Sequence, residues 1–485
     1  MKKKKGFFKK LKSNKLSEIA FVLALIGLTL SVFLGMIGSK YISMKWVMIG
    51  AGVTALFWLL LIRMTTRKPT LSIFINLILV FALSASSLVA LRLSSFSNEI
   101  TIKSDIDTVS VVTSLDSGLT TESDFFGTKM AVFADDEVYN SWAISLLQDA
   151  DKYTGITLKY YDTHLEGYIA LLNGEVDLMV MSADAESELV ETEDEAVTTK
   201  EYIVLYTDTK DVAVEALPSV DVNKNGFTVL INGIDLSGNN INKKARADIC
   251  ILVTINPSTG KINLQVLPRD LWVELPCRDN LKTKLNRSGS QGGVSCTIDA
   301  IERYFDYELE INYYAKINFQ GFEDLVDALG GIEAYSYYTF CEETYGKEYC
   351  YIKGMNKMNG EEALAFARIR KSLPGNDVAR GNHQIEIIKG ILNKFLKNPS
   401  LDTMNKILKA VEGNFVTSFE EKQFVGLLEL LLSIKDKMVI ESHSMTGGIE
   451  WDYDQIYKTD LYYFVPDEGE KEAALQRIKD TLAGK

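Results

Sequence analysis

The sequence predicts an α/β protein with three N-terminal transmembrane helices, a small α/β accessory domain and a larger α/β domain whose mixed sheet is flanked by helices. Three observations lead to this prediction. Three long apolar runs come first, strand-like and helical segments then alternate in two series, and a segment rich in Pro, Asn and Gly separates the series. The predicted division is 1–93 for the basic start and the spans, 94–221 for the accessory domain and 222–485 for the larger domain.

The three apolar runs are interpreted as membrane spans. They are Ile19 to Ile37, Trp46 to Ile62 and Leu71 to Leu91, and none contains a charged side chain. Each is close to the roughly 20 residues with which a helix crosses about 30 Å of hydrocarbon. A cleaved signal peptide has one shorter apolar core and is not followed by two further runs, so cleavage is not expected.

Basic residues predict the orientation of these spans. Eight lysines lie in the first fifteen residues, and Arg63, Arg67 and Lys68 lie in the loop on the same side of the membrane. By the positive-inside rule the N-terminus is cytoplasmic, and with three crossings everything after about Arg92 is outside. The sequence therefore predicts a multi-pass protein of the cell membrane with an extracellular larger domain.

Charge and cysteines agree with an outer location. The formal net charge is −13 although the start is strongly basic, so the outer part is acidic and non-specific nucleic-acid binding is disfavoured. All five cysteines follow the spans, and an oxidising location permits disulfides. Cys341 with Cys350 and Cys277 with Cys296 bracket polar loops, whereas Cys250 lies in the strand "ICILVTI" and is predicted to be a buried free thiol. Four cysteines allow three connectivities, and the spacing favours these two pairs.

The accessory segment predicts a small α/β unit with parallel pairing. The neighbouring acidic run "ESELVETEDEA" is interpreted as a solvated face, with metal binding as the alternative. The segment "LPSVDVNKNG" is the predicted boundary. In chain order, the predicted strands and helices of the accessory unit are "KMAVFA", "SWAISLLQDADKY", "ITLKYY", "LEGYIALLNG" and "VDLMVM".

The second series begins with the strand "GFTVLING". The segment "ADICILVTINPSTGKINLQVL" predicts a hairpin of two strands around a Pro and Gly turn. Three helices follow in "FEDLVDALGG", "NGEEALAFAR" and "NHQIEIIKGILNKFL", the first ending in glycines that suit a C-cap. The apolar face from Ile385 to Phe395 is a candidate wall for a lipid tail, with ordinary core packing as the alternative.

Charged residues stand at the ends of these predicted elements, where α/β sheets commonly form a crevice. Arg368 and Arg370 are two positions apart at the end of a helix, so either the helix ends near Ile369 or only one of the two reaches a common site. Arg380 and Gln384 share one helix face at i and i+4. The charged residues at strand ends are Asp235, Arg246, Asp248, Arg269 and Asp270.

Arginines with a few aspartates suit a substrate that carries several phosphate charges together with a divalent metal. Guanidinium binds phosphate oxygens in a bidentate fork, and two aspartates can hold Mg²⁺, with Mn²⁺ as the alternative ion. Structural Arg to Asp ion pairs are the plainer interpretation of any one pair, but the coincidence of several pairs favours a site. No P-loop or dinucleotide fingerprint is present. None of the three histidines has a nucleophile beside it, and His383 is predicted to lie on a helix surface.

These residues resemble the LytR-CpsA-Psr phosphotransferases of bacterial cell envelopes over roughly 227–398. The three leading spans and the accessory segment resemble the capsule-assembly branch of that family. Val266 and His383 depart from the residues common in the family, and both bear on polymer choice. The motifs that carry the resemblance are "GIDLSG", "RADICILVTINPSTGKI", "LPRDLWVEL", "KLNRSG", "LVDALGGIE", "MNGEEALAFARIRK" and "DVARGNHQ".

The resemblance implies roles for individual residues. Asp235 and Asp248 correspond to metal ligands, and Lys284 corresponds to a further phosphate contact. Asp270 is expected to orient an arginine, with metal binding as the alternative. The residues that correspond to the pyrophosphate-binding set are Arg246, Arg269, Arg368, Arg370, Arg380 and Gln384.

The activity implied is transfer of an anionic glycopolymer, such as capsule or teichoic acid, from a polyprenyl pyrophosphate carrier in the membrane to peptidoglycan, by Mg²⁺-dependent phosphoryl transfer. Two alternatives stay open. The first is a membrane-anchored sensor or transcription attenuator that binds the lipid-linked polymer without turnover. The second is a hydrolase that cleaves the polyprenyl pyrophosphate. For the transferase itself, the further expectation is a pyrophosphatase side activity.

Overall fold

The computed structural model describes residues 14–38, 44–100, 104–133, 137–149, 155–183, 185, 189, 202–236, 240–344, 346–369, 372–374, 376–397, 399 and 401–485. The predicted basic start before residue 14, most of the acidic run and Arg370 lie outside these residues. The chain divides into two compact units, 1–98 with 420–425 and 99–419 with 426–485. The domain boundaries at residues 93 and 221 stay predictions.

The first unit contains three apolar helices, α1 (Lys15–Gly38), α2 (Met44–Thr65) and α3 (Pro69–Ile100). Among the described residues, the stretch Lys15–Met36 is long and apolar enough to cross a membrane, whereas Ala51–Thr65 and Pro69–Ser84 are shorter apolar stretches. The structure therefore supports one candidate span instead of the three predicted, because the other two described stretches fall short of the roughly 20 residues that a crossing needs.

Helices α1 and α2 pack closely around one aromatic side chain. Trp58 is 2% exposed, and its indole Nε1 donates a hydrogen bond to Ser31 Oγ at 3.0 Å. A Cβ added at Gly27 would lie 2.1 Å from the Trp58 ring, so a larger residue at this position would push the two helices apart. Small residues allow apolar helices to approach in this way.

The second unit begins with a five-stranded sheet in the order β3-β2-β4-β1-β5. Strand β2 is parallel to β3 and β4, as predicted, whereas β1 is antiparallel to β4 and β5. Every strand and helix predicted for this segment is present. The elements are β1 (Ser104–Ser114), β2 (Lys129–Phe133), α4 (Glu137–Asp149), β3 (Thr157–Tyr161), α5 (His164–Leu172), β4 (Leu178–Ser182) and β5 (Tyr202–Ala213).

The remaining elements of the second unit, together with one helix that both units share, continue in chain order. They are β6 (Phe227–Ile234), β7 (Ala247–Ile255), β8 (Lys261–Leu267), β9 (Trp272–Leu275), β10 (Leu281–Lys284), α6 (Ser288–Tyr304), β11 (Tyr313–Asn318), α7 (Phe319–Ala328), β12 (Ile332–Ser336), β13 (Phe340–Thr344), β14 (Lys347–Tyr351), β15 (Gly354–Met358), α8 (Gly360–Arg368), α9 (Asn376–Lys397), α10 (Leu401–Ala410), β16 (Phe415–Thr417), α11 (Glu421–Ile434), β17 (Val439–Ser444), β18 (Gly447–Asp454), β19 (Thr459–Pro466) and α12 (Glu470–Leu482).

The larger sheet has six strands in the order β16-β11-β6-β7-β8-β17. Strand β11 is parallel to β6 and strand β17 is parallel to β8, whereas the remaining neighbours are antiparallel. The sheet is mixed, as predicted, and the hairpin predicted over 247–267 is formed by β7 and β8. Most residues of strands β6, β7 and β8 are buried, which explains their largely apolar sequences.

Helices cover both faces of this sheet. On one face, Leu267 belongs to the core that also contains Ile298 of α6 and Ile478 of α12. On the other face, a Cβ added at Gly381 of α9 would lie 3.1 Å from Val266 Cγ1, so α9 approaches the sheet at a glycine. Because neighbouring side chains of a strand point to opposite faces, Val266 and Leu267 assign α9 to the face opposite α6 and α12.

A second core lies among α7, α8, α9 and β12 to β15. Ile387 of α9 is 2% exposed within it, and Ile391 and Phe395 pack against it. Core packing therefore accounts for these three residues of the predicted apolar face. Both predicted disulfides are formed, Cys277 with Cys296 and Cys341 with Cys350, and Cys250 is a buried free thiol as predicted.

Candidate active site

Three strand ends meet at one edge of the six-stranded sheet. Ile234 of β6 is opposite Ala247 of β7, and Cys250 of β7 is opposite Leu267 of β8. Because both pairs are antiparallel, the end of β6, the start of β7 and the end of β8 lie side by side. The charged residues at or next to these ends are Asp235, Arg246, Asp248, Arg269 and Asp270.

Two ion pairs organise this edge. Arg246 Nη2 lies 2.7 Å from Asp235 Oδ2, and Arg269 Nη1 lies 3.2 Å from Asp248 Oδ2. Asn286 Nδ2 donates a further hydrogen bond to Asp248 Oδ1 at 3.2 Å. The pairs are more than surface contacts, because the side chains of Arg246, Arg269 and Asp248 are 8%, 15% and 13% exposed.

Asp248 is ionised in this setting. Burial raises the pKa of its carboxyl, but the guanidinium groups of Arg269 and Arg246, with smaller contributions from Asn286 and Arg380, outweigh burial and hold that pKa below its usual range. The three arginines come from the starts or ends of different elements. Their common effect on one carboxyl shows that the tertiary structure brings them around Asp248.

Asp270 and Lys284 lie behind this edge. Lys284 Nζ is 3.3 Å from Asp270 Oδ1, and both side chains are at most 2% exposed. Arg269 Nε lies 3.7 Å from Asp270 Oδ2, and Lys284 Nζ lies 3.6 Å from the centroid of the Tyr462 ring. The structure therefore places Asp270 against Arg269 and Lys284 in the protein interior.

Helix α8 delivers Arg368 to the same region. Asn359 and Glu362 form a capping box at its start, and the helix ends at Arg368 because Ile369 has an extended ψ of 130°. Of the two arrangements that the sequence allows, the helix ending near Ile369 is the one observed. The Arg368 guanidinium lies over the Phe319 ring, 4.0 Å from its centroid.

Helix α9 contributes Arg380 and Gln384 from one face, as their spacing predicts. Gln384 Nε2 donates a hydrogen bond to Ala367 O at 3.4 Å, which joins α9 to the last turn of α8. Gly381 lets this part of α9 approach the sheet, because an added Cβ would lie 2.5 Å from Ser444 Oγ. The close approach places Arg380 beside the strand ends.

A cavity of about 210 Å³ lies between these elements. Of the predicted site residues it brings together Asp248, Arg269, Arg368, Arg380 and Gln384. Four other predicted site residues do not line the cavity. Two of them, Asp235 and Arg246, adjoin it at the strand ends, and the other two are Asp270 and Lys284. The remaining lining residues are Ile249, Phe319, Glu342 and Ala367.

Three of the residues at this site were not predicted from the sequence. Asn286 lies in the motif "KLNRSG", two positions after the predicted Lys284, so this motif was the signal that could have identified it. Phe319 begins α7 and Glu342 lies in the loop closed by Cys341 and Cys350, and neither position has a pattern that marks it. Their place at the site depends on how distant segments pack.

Asp235 and Asp248 fit an oxygen-preferring divalent ion. Carboxylate oxygens are the ligands that Mg²⁺ prefers, and both carboxylates stand at neighbouring strand ends. Each carboxylate already faces a guanidinium group, so a bound ion would share Asp235 with Arg246 and Asp248 with Arg269. Among the described residues, Cys341, Glu348 and Cys350 also lie close together, but their two cysteines form a disulfide and are not available to a metal.

His383 does not lie on the helix surface, so that prediction is wrong. Its ring is 0% exposed and stacks on Phe366 with the centroids 3.9 Å apart, while Phe340 lies 5.5 Å away. Its neighbours in sequence, Arg380 and Gln384, face the cavity, so the helix face of His383 must enter the second core. Burial lowers the pKa of His383 to about 4.

This pKa predicts a pH-dependent stability. The unfolded chain binds a proton at His383 below about pH 6.5, whereas the folded chain does so only below about 4. The free energy of unfolding is therefore expected to fall between about pH 6.5 and 4, by about 1.4 kcal/mol per unit from this group. Denaturant unfolding across this range should show a smaller fall for His383→Phe than for the wild type. An unchanged fall in His383→Phe would contradict the assignment.

The fold and the site define a class of protein. An α/β domain with guanidinium groups and the ionised Asp248 around one cavity is suited to bind a polyphosphate ester. The family model LytR_cpsA_psr matches residues 188–480. The chain belongs to the LytR_cpsA_psr family, and the resemblance found in the sequence is thereby confirmed.

Two curated relatives are both named polyisoprenyl-teichoic acid–peptidoglycan teichoic acid transferase TagU. The protein from Bacillus licheniformis is 31% identical over 265 residues, which are 54% of this chain and 81% of that protein. The protein from Bacillus subtilis is 31% identical over 266 residues, 54% of this chain and 80% of that protein. The crystal structure of Bacillus subtilis TagV superposes with a TM-score of 0.45 at 26% identity, covering 54% of this chain and 98% of that one.

Proposed function

We propose that this protein transfers an anionic glycopolymer from a polyprenyl pyrophosphate carrier to peptidoglycan. The observation that carries the proposal is the convergence of Arg269, Arg368 and Arg380 on one cavity beside the ionised Asp248. The names of the TagU relatives, which are 31% identical over about half of this chain, support the same reaction. Teichoic acid is the anionic polymer that those names specify.

The arginines bind and orient the pyrophosphate in this proposal. Each guanidinium offers a planar fork of donors that matches phosphate oxygens and stays charged at any relevant pH. Arg269 is held between Asp248 and Asp270, and Arg368 is held against Phe319. Fixed positive charge of this kind stabilises the charge that develops in phosphoryl transfer without reorganisation.

Asp235 and Asp248 would hold the divalent ion, Mg²⁺ or alternatively Mn²⁺. When bound, the ion supplies further neutralisation of the phosphate charges. The residues around it have a second task, because Arg246 and Asn286 orient the two carboxylates through hydrogen bonds of 2.7 and 3.2 Å. Partners of this type fix the direction of a ligand atom.

The membrane arrangement is part of the proposal. Helix α1 supplies one candidate span, Lys15–Met36, and with the basic N-terminus on the cytoplasmic side this crossing places the site outside. The disulfides Cys277–Cys296 and Cys341–Cys350 support the outer location, because such bonds persist in oxidising surroundings. The lipid carrier and the peptidoglycan acceptor are both reached from that side.

The test is turnover by the full chain in detergent. With Mg²⁺, a synthetic polyprenyl-pyrophosphoryl saccharide and purified peptidoglycan, we expect polyprenyl phosphate to appear in the same amount as saccharide attached to peptidoglycan. A chelator should stop both, and added Mg²⁺ or Mn²⁺ should restore them. Release without attachment would identify a hydrolase, and binding without release would identify a sensor; either result would contradict the transferase.

A further inference from the structure

One carboxylate in the cavity is out of place for an anion-binding site. Glu342 of β13 lines the same cavity as Arg269, Arg368 and Arg380. A carboxylate repels the phosphate groups that the arginines attract, so its presence costs affinity. A side chain with that cost at the centre of a phosphate site calls for a role in the reaction.

Glu342 is held on a rigid element. Strands β13 and β14 are cross-linked by the disulfide Cys341–Cys350, directly beside it. The same hairpin is attached to helix α8, because the Tyr351 hydroxyl donates to Glu362 O at 2.7 Å and the Tyr349 hydroxyl donates to Glu361 Oε1 at 2.6 Å. Glu342 therefore keeps a fixed position relative to the helix that ends in Arg368.

The carboxylate of Glu342 differs from the other carboxylates of the site in its partners. Its Oε2 accepts hydrogen bonds from Ser372 N at 2.9 Å and from Ser372 Oγ at 2.6 Å. Within the part of the chain that the structure describes, its Oε1 accepts no hydrogen bond and no cation lies within 4.0 Å of the carboxylate. Asp235 and Asp248 are each paired with a guanidinium.

This difference decides which carboxylate can accept a proton. An acid that is paired with arginine, or that holds a metal, has its lone pairs engaged and is a poor base. Glu342, which lines the cavity, has one oxygen oriented by Ser372, and its other oxygen accepts no hydrogen bond from the described residues. It combines a fixed position with a free lone pair, as a general base requires.

We propose that Glu342 is the general base that accepts the proton of the acceptor hydroxyl. The hydroxyl oxygen forms a bond to the polymer-proximal phosphorus while its proton passes to Glu342, and the bond from that phosphorus to the bridging oxygen breaks. Polyprenyl phosphate leaves with the bonding electron pair, and the proton on Glu342 returns to solvent. This inference rests on the proposed function, since it assigns a residue to that reaction.

The first test compares Glu342→Gln with Glu343→Gln in the full chain, with the synthetic lipid-linked saccharide and peptidoglycan as substrates. Glutamine keeps the size and a hydrogen-bond acceptor for Ser372, but it does not take a proton. We expect kcat to fall by about 10²-fold to 10⁴-fold. KM for the lipid substrate should stay equal or fall, because a negative charge is removed from the phosphate site. Glu343 is the exposed neighbour in β13, and Glu343→Gln should retain wild-type kcat.

The second test is chemical rescue. In Glu342→Ala, added formate is expected to restore part of kcat, because a small carboxylate can occupy the vacated space and accept the proton. Loss of a merely structural contact gives no such rescue. The assignment would be overturned if Glu342→Gln kept the kcat of the wild type. It would also be overturned if formate did not restore any of the kcat that Glu342→Ala loses. Absence of turnover in the wild type would instead overturn the proposed function, and this inference with it.

Discussion

Arg269→Ala is expected to lower kcat/KM for polymer transfer by about 10³-fold or more. Arg269 lines the cavity and is the guanidinium with the largest effect on the pKa of Asp248. Its removal takes away one phosphate-binding fork and also leaves the Asp248 charge less compensated beside the substrate. The two effects act in the same direction, because both make the cavity less favourable for a diphosphate.

Initial rates of polyprenyl phosphate release measure this effect. Arg269→Lys keeps the charge without the planar fork and should lie between the wild type and Arg269→Ala. Arg303→Ala is the matched control, because Arg303 forms a surface ion pair with Glu274 at 2.9 Å and its side chain is 43% exposed. Wild-type rates in a folded Arg269→Ala protein would refute the role of Arg269 at the site.

Asp105→Ala is expected to have the largest effect on stability, about 3 to 5 kcal/mol. Asp105 Oδ1 lies 2.6 Å from Lys316 Nζ and both side chains are 3% exposed, while Asp105 Oδ2 accepts the Val294 backbone N–H at 2.9 Å. The substitution leaves a buried ammonium and a buried N–H without their acceptor. Removing one partner of a buried pair costs more than the pair itself contributes, since the remaining charge stays desolvated.

Thermal unfolding of the full chain in detergent measures this loss. The double variant Asp105→Leu with Lys316→Met removes both charges and should recover most of the stability. Asp116→Ala, in an exposed turn just after β1, is the control and should change stability by no more than about 0.5 kcal/mol. If Asp105→Ala unfolded like the control, the ion pair would not stabilise the protein.

The Asp105 contact also affects the site. Residues next to it join β1 to the segment before Arg246, because Ile106 N donates to Asn242 O at 2.7 Å and Lys244 N donates to Ile106 O at 3.1 Å. Lys244 Nζ also lies 2.8 Å from Asp107 Oδ2. The five-stranded sheet, predicted as an accessory domain, thus supports the chain that leads into Arg246. Asp105→Ala should therefore lower transfer as well as stability.

The sequence alone determined the parts of this protein that depend on local pattern. Two apolar strand-like runs separated by Pro, Asn and Gly predicted the β7–β8 hairpin, because turn residues between two such runs are typical of a hairpin. Polar loops between cysteines predicted both disulfides, since the short loops hold the cysteines of each pair close together. The i and i+4 spacing of Arg380 and Gln384 predicted their common face, because the period of the helix fixes it.

Only the tertiary structure decided which charged residues share the cavity. Lys284 and Asp270 are adjacent to or within motifs of the site, yet they pair with each other in the interior. His383 is three residues from Arg380, yet it stacks in the second core, and Glu342 enters the site from a hairpin that no pattern marked. The physical reason is that burial and ion pairing depend on contacts between side chains from distant segments of the chain. Local sequence patterns do not specify which of those side chains come into contact.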